Sequence, residues 1–429
     1  MLIDALKWAK QEVDLARDAL AMHQLLSDWR RLRVMATGVA PVRRIERLIL
    51  VPPDPDTLVG SKGDEAMLQA CVGELSSMAP ERAFAILVGT PEAAQVARQN
   101  GWQPLPLWKL QLRELLSALQ RFQPDAFLML GADIMDGFYS PLYAARRLVI
   151  ADLLARRGIR TSVLGFSFNR RPARQLIGLF DAVGSAVTLN IRDAASLARF
   201  SAQSRAPARL VADVAFLLRP DSASSSVVEV RQWAARQRAQ GRRVIGFNVH
   251  PMLFSGAADA SAVPRLIENS ASVLAQLLAR AAISLVLIPH DYRGKLGDDE
   301  CLRPLNSALR SLYADRVIYP NQPLSAAELK GLVGELDGVV TGRMHLAIAA
   351  LGMGVPAAGI AYQDKFQGLF QHFGFSERMV LQAADALRPE PLTAALNDFL
   401  EELPQLRRQV GAKLEGVRSA ARQNLAGLN

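Results

Sequence analysis

From residue 48 onward, two hydrophobic patterns alternate along the chain. Short apolar runs have the composition of strands buried on both faces. They are separated by longer stretches with apolar residues every three or four positions, the period of a helix with one buried side. Runs at residues 48–51, 83–88, 126–130, 161–166 and 186–191 form a first series. Runs at 244–249, 284–288, 317–318, 338–340 and 357–360 form a second. Strands alternating with helices predict parallel, doubly wound sheets, an α/β fold class with two Rossmann-like halves. The small polar stretch 221–227 between the series suits a linker. The first α/β domain is expected over residues 48–222 and the second over 223–390.

The two ends read differently. Residues 1–47 form an N-terminal helical extension, with Leu2, Leu6, Ala9, Val13, Ala16 and Leu20 as one apolar stripe. Residues 391–429 form a charged helical tail. Near the start of the first domain, the polar turn 60–65 precedes a helix expected over 66–75.

Composition narrows the class. A chain of 429 residues, 50% hydrophobic and 21% charged, buries ample cores and is not a disordered chain. Its net charge of +9 suits an anionic ligand or surface. Dense basic runs with interleaved aromatics are missing, so nucleic acid is not an expected partner. Cys71 and Cys301 make neither a disulfide framework nor a metal pattern, which favours a reducing cytoplasm. Asp4, Lys7, Lys10 and Glu12 interrupt any signal-peptide core. The uncharged run 346–363 is broken by Gly352, Gly354 and Pro356, so it reads as a buried helix-turn-strand. The charges around the N-terminal stripe nearly cancel. That helix is expected to dock on its own body or on a second copy in a homo-oligomer, with at most weak peripheral contact to the inner face of a membrane.

Candidate chemistry collects at strand ends. Asn248 and His250 follow the first strand of the second series, His290 the next, and His345 the run at 338–340. In a parallel sheet these ends share one edge, where open α/β sheets bind ligands. Arg343 stands at the mouth of a helix, where its planar fork and the free backbone N–H groups suit a phosphate or carboxylate. The alternative for Arg343 is a structural salt bridge to a neighbouring Asp or Glu. Lys365 follows the run at 357–360. Asp64 and Glu65 open the helix after the polar turn, a placement the helix dipole favours. Either could also take a proton from a hydroxyl. His-x-His and His-x₃-His spacings are missing, so no metal site is expected.

Several segments resemble the polysaccharide pyruvyltransferase family. They are Arg343-Met344-His345, Gly354-Val355-Pro356, Tyr362, and Lys365 with Gly368. Further matches are Gly63-Asp64-Glu65-Ala66, Ile288-Pro289-His290-Asp291, Ile191-Arg192-Asp193 with Ser196, and Ala212-Asp213-Val214-Ala215-Phe216. Gly131-Ala132-Asp133 departs from the family's Gly-rich triplet at Ala132. The resemblance spans about residues 48–375. It implies a GT-B-like arrangement and an enzyme moving pyruvyl from phosphoenolpyruvate onto a sugar, free or lipid-linked, as a ketal. It implies donor binding by Arg343, Met344, Lys365 and His290, with His345 as general acid, and the strand-end Asn248 and His250 are expected on the same donor side. Gly63, Asp64, Glu65 and Asp133 fall on the acceptor side, and neither cofactor nor metal is required. The alternatives are a GT-B glycosyltransferase using a sugar nucleotide and a noncatalytic docking protein of an exopolysaccharide assembly complex.

Overall fold

The computed structural model describes residues 2–35, 44–183, 186–254, 259–320, 322–362 and 364–428, with side chains from residue 16 onward. Seven strands form the first sheet: β1 (Arg47–Val51), β2 (Ala83–Leu87), β3 (Gln103–Leu105), β4 (Ala126–Ala132), β5 (Arg160–Phe166), β6 (Thr188–Ile191) and β7 (Arg209–Leu210). Six form the second: β8 (Arg243–Asn248), β9 (Ile283–Leu287), β10 (Val317–Ile318), β11 (Gly338–Thr341), β12 (Ala357–Ala361) and β13 (Val380–Gln382). The orders are β3-β2-β1-β4-β5-β6-β7 and β10-β9-β8-β11-β12-β13, and every pairing is parallel. Both sheets are doubly wound in the same sense. Each reverses its strand order once, between β1 and β4 in the first and between β8 and β11 in the second.

All ten strands expected from the apolar runs are present. Strands β3, β7 and β13 are additional. They have two or three residues and mostly exposed or half-buried side chains, so no apolar run marks them.

The chain divides into two compact units, one of Met1–Leu58, Leu75–Val211 and Asn424–Asn429, the other of Val59–Glu74 and Ala212–Gln423. This differs from the sequence-based boundaries. Residues 59–74, placed by sequence order in the first domain, belong to the second unit. The division after the first series falls at Val211, and the stretch 221–227 is helix-capping structure. There Asp221 accepts the N–H groups of Ala223 and Ser224, and Ser224 caps the helix Ser225–Ala239 by accepting from Val227. Small polar residues mark an N-cap as readily as a linker. The charged C-terminal segment is the helix Pro389–Arg422, an integral part of the second unit. Its buried side chains include Leu396, Phe399 and Leu403.

The N-terminal helix Leu2–Val34 docks on the helix Pro141–Ala155 of its own unit. The described contacts are in its second half. Leu25 and Trp29 are buried, and Trp29 Nε1 donates to Asp152 Oδ2 at 2.8 Å. Arg33 reaches the same carboxylate at 3.4 Å. Of the apolar stripe, Leu20 is 69% exposed, and the Leu2, Leu6, Ala9 and Val13 side chains lie outside the described residues. No helix among the described residues is long and apolar enough to cross a membrane.

Ala132, at the end of β4, has φ 46°. This is the left-handed region that glycine occupies freely and an L side chain does not. The departure from the family's glycine is therefore a strained position. Ala132→Gly is expected to stabilise the protein by about 1 kcal/mol, read by urea denaturation.

Candidate active site

The site forms at the β8/β11 reversal of the second sheet, where open α/β sheets leave a crevice for ligands. Asn248 ends β8 and is fully buried. Its Nδ2 donates to Ile288 O at 2.8 Å and Asp298 Oδ2 at 2.6 Å. Its Oδ1 accepts from Thr341 Oγ1 at 3.0 Å. Both amide protons are used, so Asn248 fastens the ends of β8, β9 and β11 together and does not present its side chain to a ligand.

His250 lies two residues on. Its Nε2 is 3.0 Å from Gly342 O, so the proton sits on Nε2, and Nδ1 is buried without a partner. Burial, followed by the charge of Arg343, holds its pKa well below the usual value. His290 is likewise held well below, by burial first and then by His345, Arg343, Lys62 and His250. Both imidazoles are therefore neutral near pH 7. The His290 backbone N–H donates to Asp298 Oδ2 at 2.8 Å.

Arg343 caps the helix Met344–Gly352 through an extended backbone. Its Nε and Nη2 reach Asp298 Oδ1 at 2.9 and 2.6 Å, and Nη2 also reaches Leu296 O at 3.2 Å. Nη1 lies 3.2 Å from Asp291 Oδ2, and Asp291 is also gripped by Arg293 at 2.6 Å. Burial raises the Asp298 carboxyl pKa despite the opposing Arg343 charge. Of the two sequence readings for Arg343, this geometry displays the salt bridge.

His345 sits in the first turn of the same helix, between two groups far away in sequence. One edge lies against Gly63, where a Cβ would come within 2.3 Å of His345 Nδ1. On the other side, Nε2 is buried without a hydrogen bond and faces Asp213 Oδ2 at 3.6 Å. Glycine at 63 is thus required by a side chain 282 positions later. Gly63→Ala is expected to cost about 1–3 kcal/mol, because the Cβ sits on a helical turn that cannot retreat. It should also displace the imidazole, detectable as altered His345 ring resonances by NMR alongside a lowered Tm.

From Lys62 on, the polar turn 60–65 is already helical: the helix runs Lys62–Met78, four residues earlier than expected. Lys62 pairs with Glu65 at 2.6 Å and lies 5.8 Å from the Tyr292 ring centroid. The other Glu65 oxygen accepts the Ala326 N–H at 3.0 Å and Gln69 Nε2 at 3.2 Å. Glu65 is therefore a buried, satisfied tie onto the helix Ala326–Val333. Asp64 stands half-buried beside Gly63 in that first turn. Met344 and Lys365 are half-buried at their helix starts, and Lys365 Nζ lies 5.6 Å from the Tyr362 ring. Asp133 belongs to the first unit, where its Oδ2 accepts from Tyr139 OH at 3.1 Å. The sequence reading therefore missed Lys62, Asp213, Asp291 and Asp298 as members of this cluster. Asp213 had a signal, since its segment matches the family pattern. Among the described residues, no group of three or more His, Cys, Asp or Glu could hold a metal ion.

The polysaccharide pyruvyl transferase family model matches residues 62–364, more than two-thirds of the chain. The chain belongs to the polysaccharide pyruvyl transferase family. The match starts at Lys62, beside Gly63, and ends one residue before Lys365, so it contains every member of the His345 cluster. No curated protein sequence matches this pyruvyl transferase family member significantly. Solved structures share its fold at low identity. The S. aureus MnaA–UDP structure is 10% identical with a TM-score of 0.57, covering 88% of this chain and 94% of its own. UDP-GlcNAc 2-epimerase from Neisseria meningitidis bound to UDP-GlcNAc is 11% identical, TM-score 0.54, covering 90% and 99%. A UDP-glucosyltransferase from Polygonum tinctorium is 13% identical, TM-score 0.52, covering 90% and 98%. At these identities the likeness shows the fold alone, two Rossmann-like units of the GT-B class.

Elsewhere in the same unit, this family member buries a lysine. Lys330 is 2% exposed, and its Nζ donates to Phe216 O at 2.8 Å in the 3-10 turn Val214–Leu217 that Asp213 caps. Burial, then the Arg418 charge, lowers its pKa to about 7. Folding therefore expels a proton between about pH 7 and the ordinary lysine value of 10.5. In that window the unfolded state binds more protons, so the stability contribution rises with pH. Below about 7 both states are protonated and the term is flat. Wild-type stability minus that of Lys330→Met is expected to rise from pH 7 to 10, measured by urea denaturation across that range.

Proposed function

We propose that this family member transfers the pyruvyl group of phosphoenolpyruvate to two hydroxyls of a sugar, forming a cyclic ketal. The observation that carries the reading is His345, pinned between Gly63 and Asp213 at the strand-order reversal. The contact with Gly63 and the Asp213 carboxylate hold the imidazole in one orientation in the first turn of the Met344–Gly352 helix. His345, as the imidazolium, protonates the methylene carbon of phosphoenolpyruvate, and the Asp213 carboxylate stabilises the charged ring. The neighbouring carbon becomes oxocarbenium-like. A sugar hydroxyl adds to it and returns its proton to His345. A second hydroxyl then displaces phosphate, and its proton leaves with the phosphate. Atoms balance: two O–H bonds break, two C–O bonds form, the methylene becomes methyl, and phosphate departs.

The donor brings a phosphate and a carboxylate. Lys62, Lys365, Arg343 and the positive ends of the Lys62–Met78 and Met344–Gly352 helix dipoles supply matching charge. Arg343 serves as donor ligand by exchanging part of its carboxylate contacts for the incoming anion. His250 and His290, neutral, act by shape and hydrogen bonding. Gly63, Asp64 and Asp133 remain acceptor-side candidates, and no cofactor takes part in this scheme.

The test is to incubate the protein with phosphoenolpyruvate and acceptor glycans and look by mass spectrometry for the pyruvyl ketal. A parallel panel of sugar nucleotides is run because relatives in fold bind UDP or UDP-GlcNAc. Glycosyl transfer from that panel, without any pyruvyl product, would replace the proposal with the glycosyltransferase reading. Binding of phosphoenolpyruvate with no turnover on any acceptor would favour a docking protein.

A further inference from the structure

In the first unit, Phe138, Tyr139 and Tyr143 are 57%, 51% and 50% exposed, within six residues of one another. Among the described residues, no other Phe, Tyr or Trp is exposed. Their base is rigid. Asp136, fully buried, accepts the Phe138 N–H on Oδ1 and the Asn169 N–H on Oδ2, each at 3.0 Å, and its carbonyl accepts from Ala173 at 2.9 Å. Gly137, at φ 80°, lets the loop press on Leu176 and Ala173, where a Cβ would come within 2.7 and 2.9 Å. Tyr143 stacks at 6.2 Å on Trp108, itself under the Arg146 and Arg147 guanidinium groups.

Asp136 thereby joins the aromatic loop to the segment Asn169–Ala173. That segment and the helix start after it carry Arg170, Arg171 and Arg174, all exposed. The carboxylates of the same two segments are Asp133, half-buried and taking the Tyr139 hydroxyl, and the buried Asp136. The exposed charges these segments carry beside the exposed rings are thus arginines.

We propose that this surface docks the first unit on an anionic lipid bilayer. Aromatic rings with one apolar face and, in tyrosine, one polar end settle at the headgroup level of a bilayer, where arginines meet lipid phosphates. The buried Asp136 tie holds the rings ready, so docking orders little new structure. A neutral glycan would use the rings but has no charge to match three arginines. The inference does not rest on pyruvyl transfer.

The test is sedimentation of the full chain with vesicles of phosphatidylcholine mixed with phosphatidylglycerol, beside pure phosphatidylcholine. The expected result is binding to the mixed vesicles only, weakened by salt. Arg171→Ala with Arg174→Ala should weaken partitioning by about twenty-five-fold, at about fivefold per arginine. Phe138→Ala with Tyr139→Ala should weaken it by about tenfold or more, while circular dichroism stays unchanged because the rings are exposed. Failure of the wild type to bind mixed vesicles overturns the proposal, as does binding that survives both pairs of substitutions. Saturation transfer from these rings to methyl pyranosides, without vesicle binding, also overturns it and assigns the patch to a glycan.

Discussion

Replacing His345 with glutamine is expected to slow turnover by about 10²–10⁴-fold while phosphoenolpyruvate affinity changes by no more than about threefold. Glutamine fills similar space against Gly63 and still reaches toward Asp213, so the pocket keeps its shape. What it loses is a proton that can be handed to carbon. The contact with Gly63 holds the imidazole edge in place, and the Asp213 carboxylate 3.6 Å from Nε2 stabilises the charged form. Removing the acid therefore removes transition-state stabilisation without removing anion binding. Single-turnover kinetics and calorimetric titration of phosphoenolpyruvate separate the two quantities. Full turnover by His345→Gln would take His345 out of the mechanism.

Removing the Arg343 guanidinium is expected to act first on stability. Arg343→Met leaves Asp298, fully buried, without its cation and should cost about 3–5 kcal/mol in urea denaturation. Arg343→Lys keeps the charge but not the fork that meets Asp298 through both Nε and Nη2, so it should recover only part of the loss. The double variant Arg343→Met with Asp298→Asn removes both charges and should regain most of the stability. Donor affinity should stay low in all three variants if Arg343 also binds the phosphoenolpyruvate anion. Restored affinity in the double variant would reduce Arg343 to a structural partner of Asp298. The sign with pH follows from burial raising the Asp298 pKa. Without Arg343 it rises further, so the Arg343→Met deficit should shrink as the medium is acidified and Asp298 protonates.

Neither experiment depends on which hydroxyls are bridged, because both concern how the site is held. The links are long-range. Gly63 meets His345, Glu65 ties to Ala326, Asn248 joins Asp298 and Thr341, and Lys330 holds the carbonyls after Asp213. Every one of these contacts lies inside the second unit, including those from residues 59–74. A site assembled this way tolerates little backbone displacement, which is why a single methyl at residue 63 is expected to be felt.

By itself, the sequence determined what depends on local period and local chemistry. Ten buried strands were legible because strands covered on both faces must be apolar throughout. The two-series α/β fold followed from their alternation with helices. Arg343, His345 and Lys365 were legible as candidates because a parallel sheet sends its strand ends to one edge whatever the partners are. Only the tertiary structure decided what depends on neighbours distant in sequence. Edge strands β3, β7 and β13 carry no apolar run, since half their surface faces away from a core. The helix mouth at Lys62 joined the second unit although it follows the first strand of the first sheet. Asp213 became the partner of His345, Asn248 turned inward as a clasp, and Arg343 closed on Asp298. The physical reason is the same in each case: a side chain's type states what it is able to bond, while its partner is chosen by packing, which brings together groups no local pattern connects.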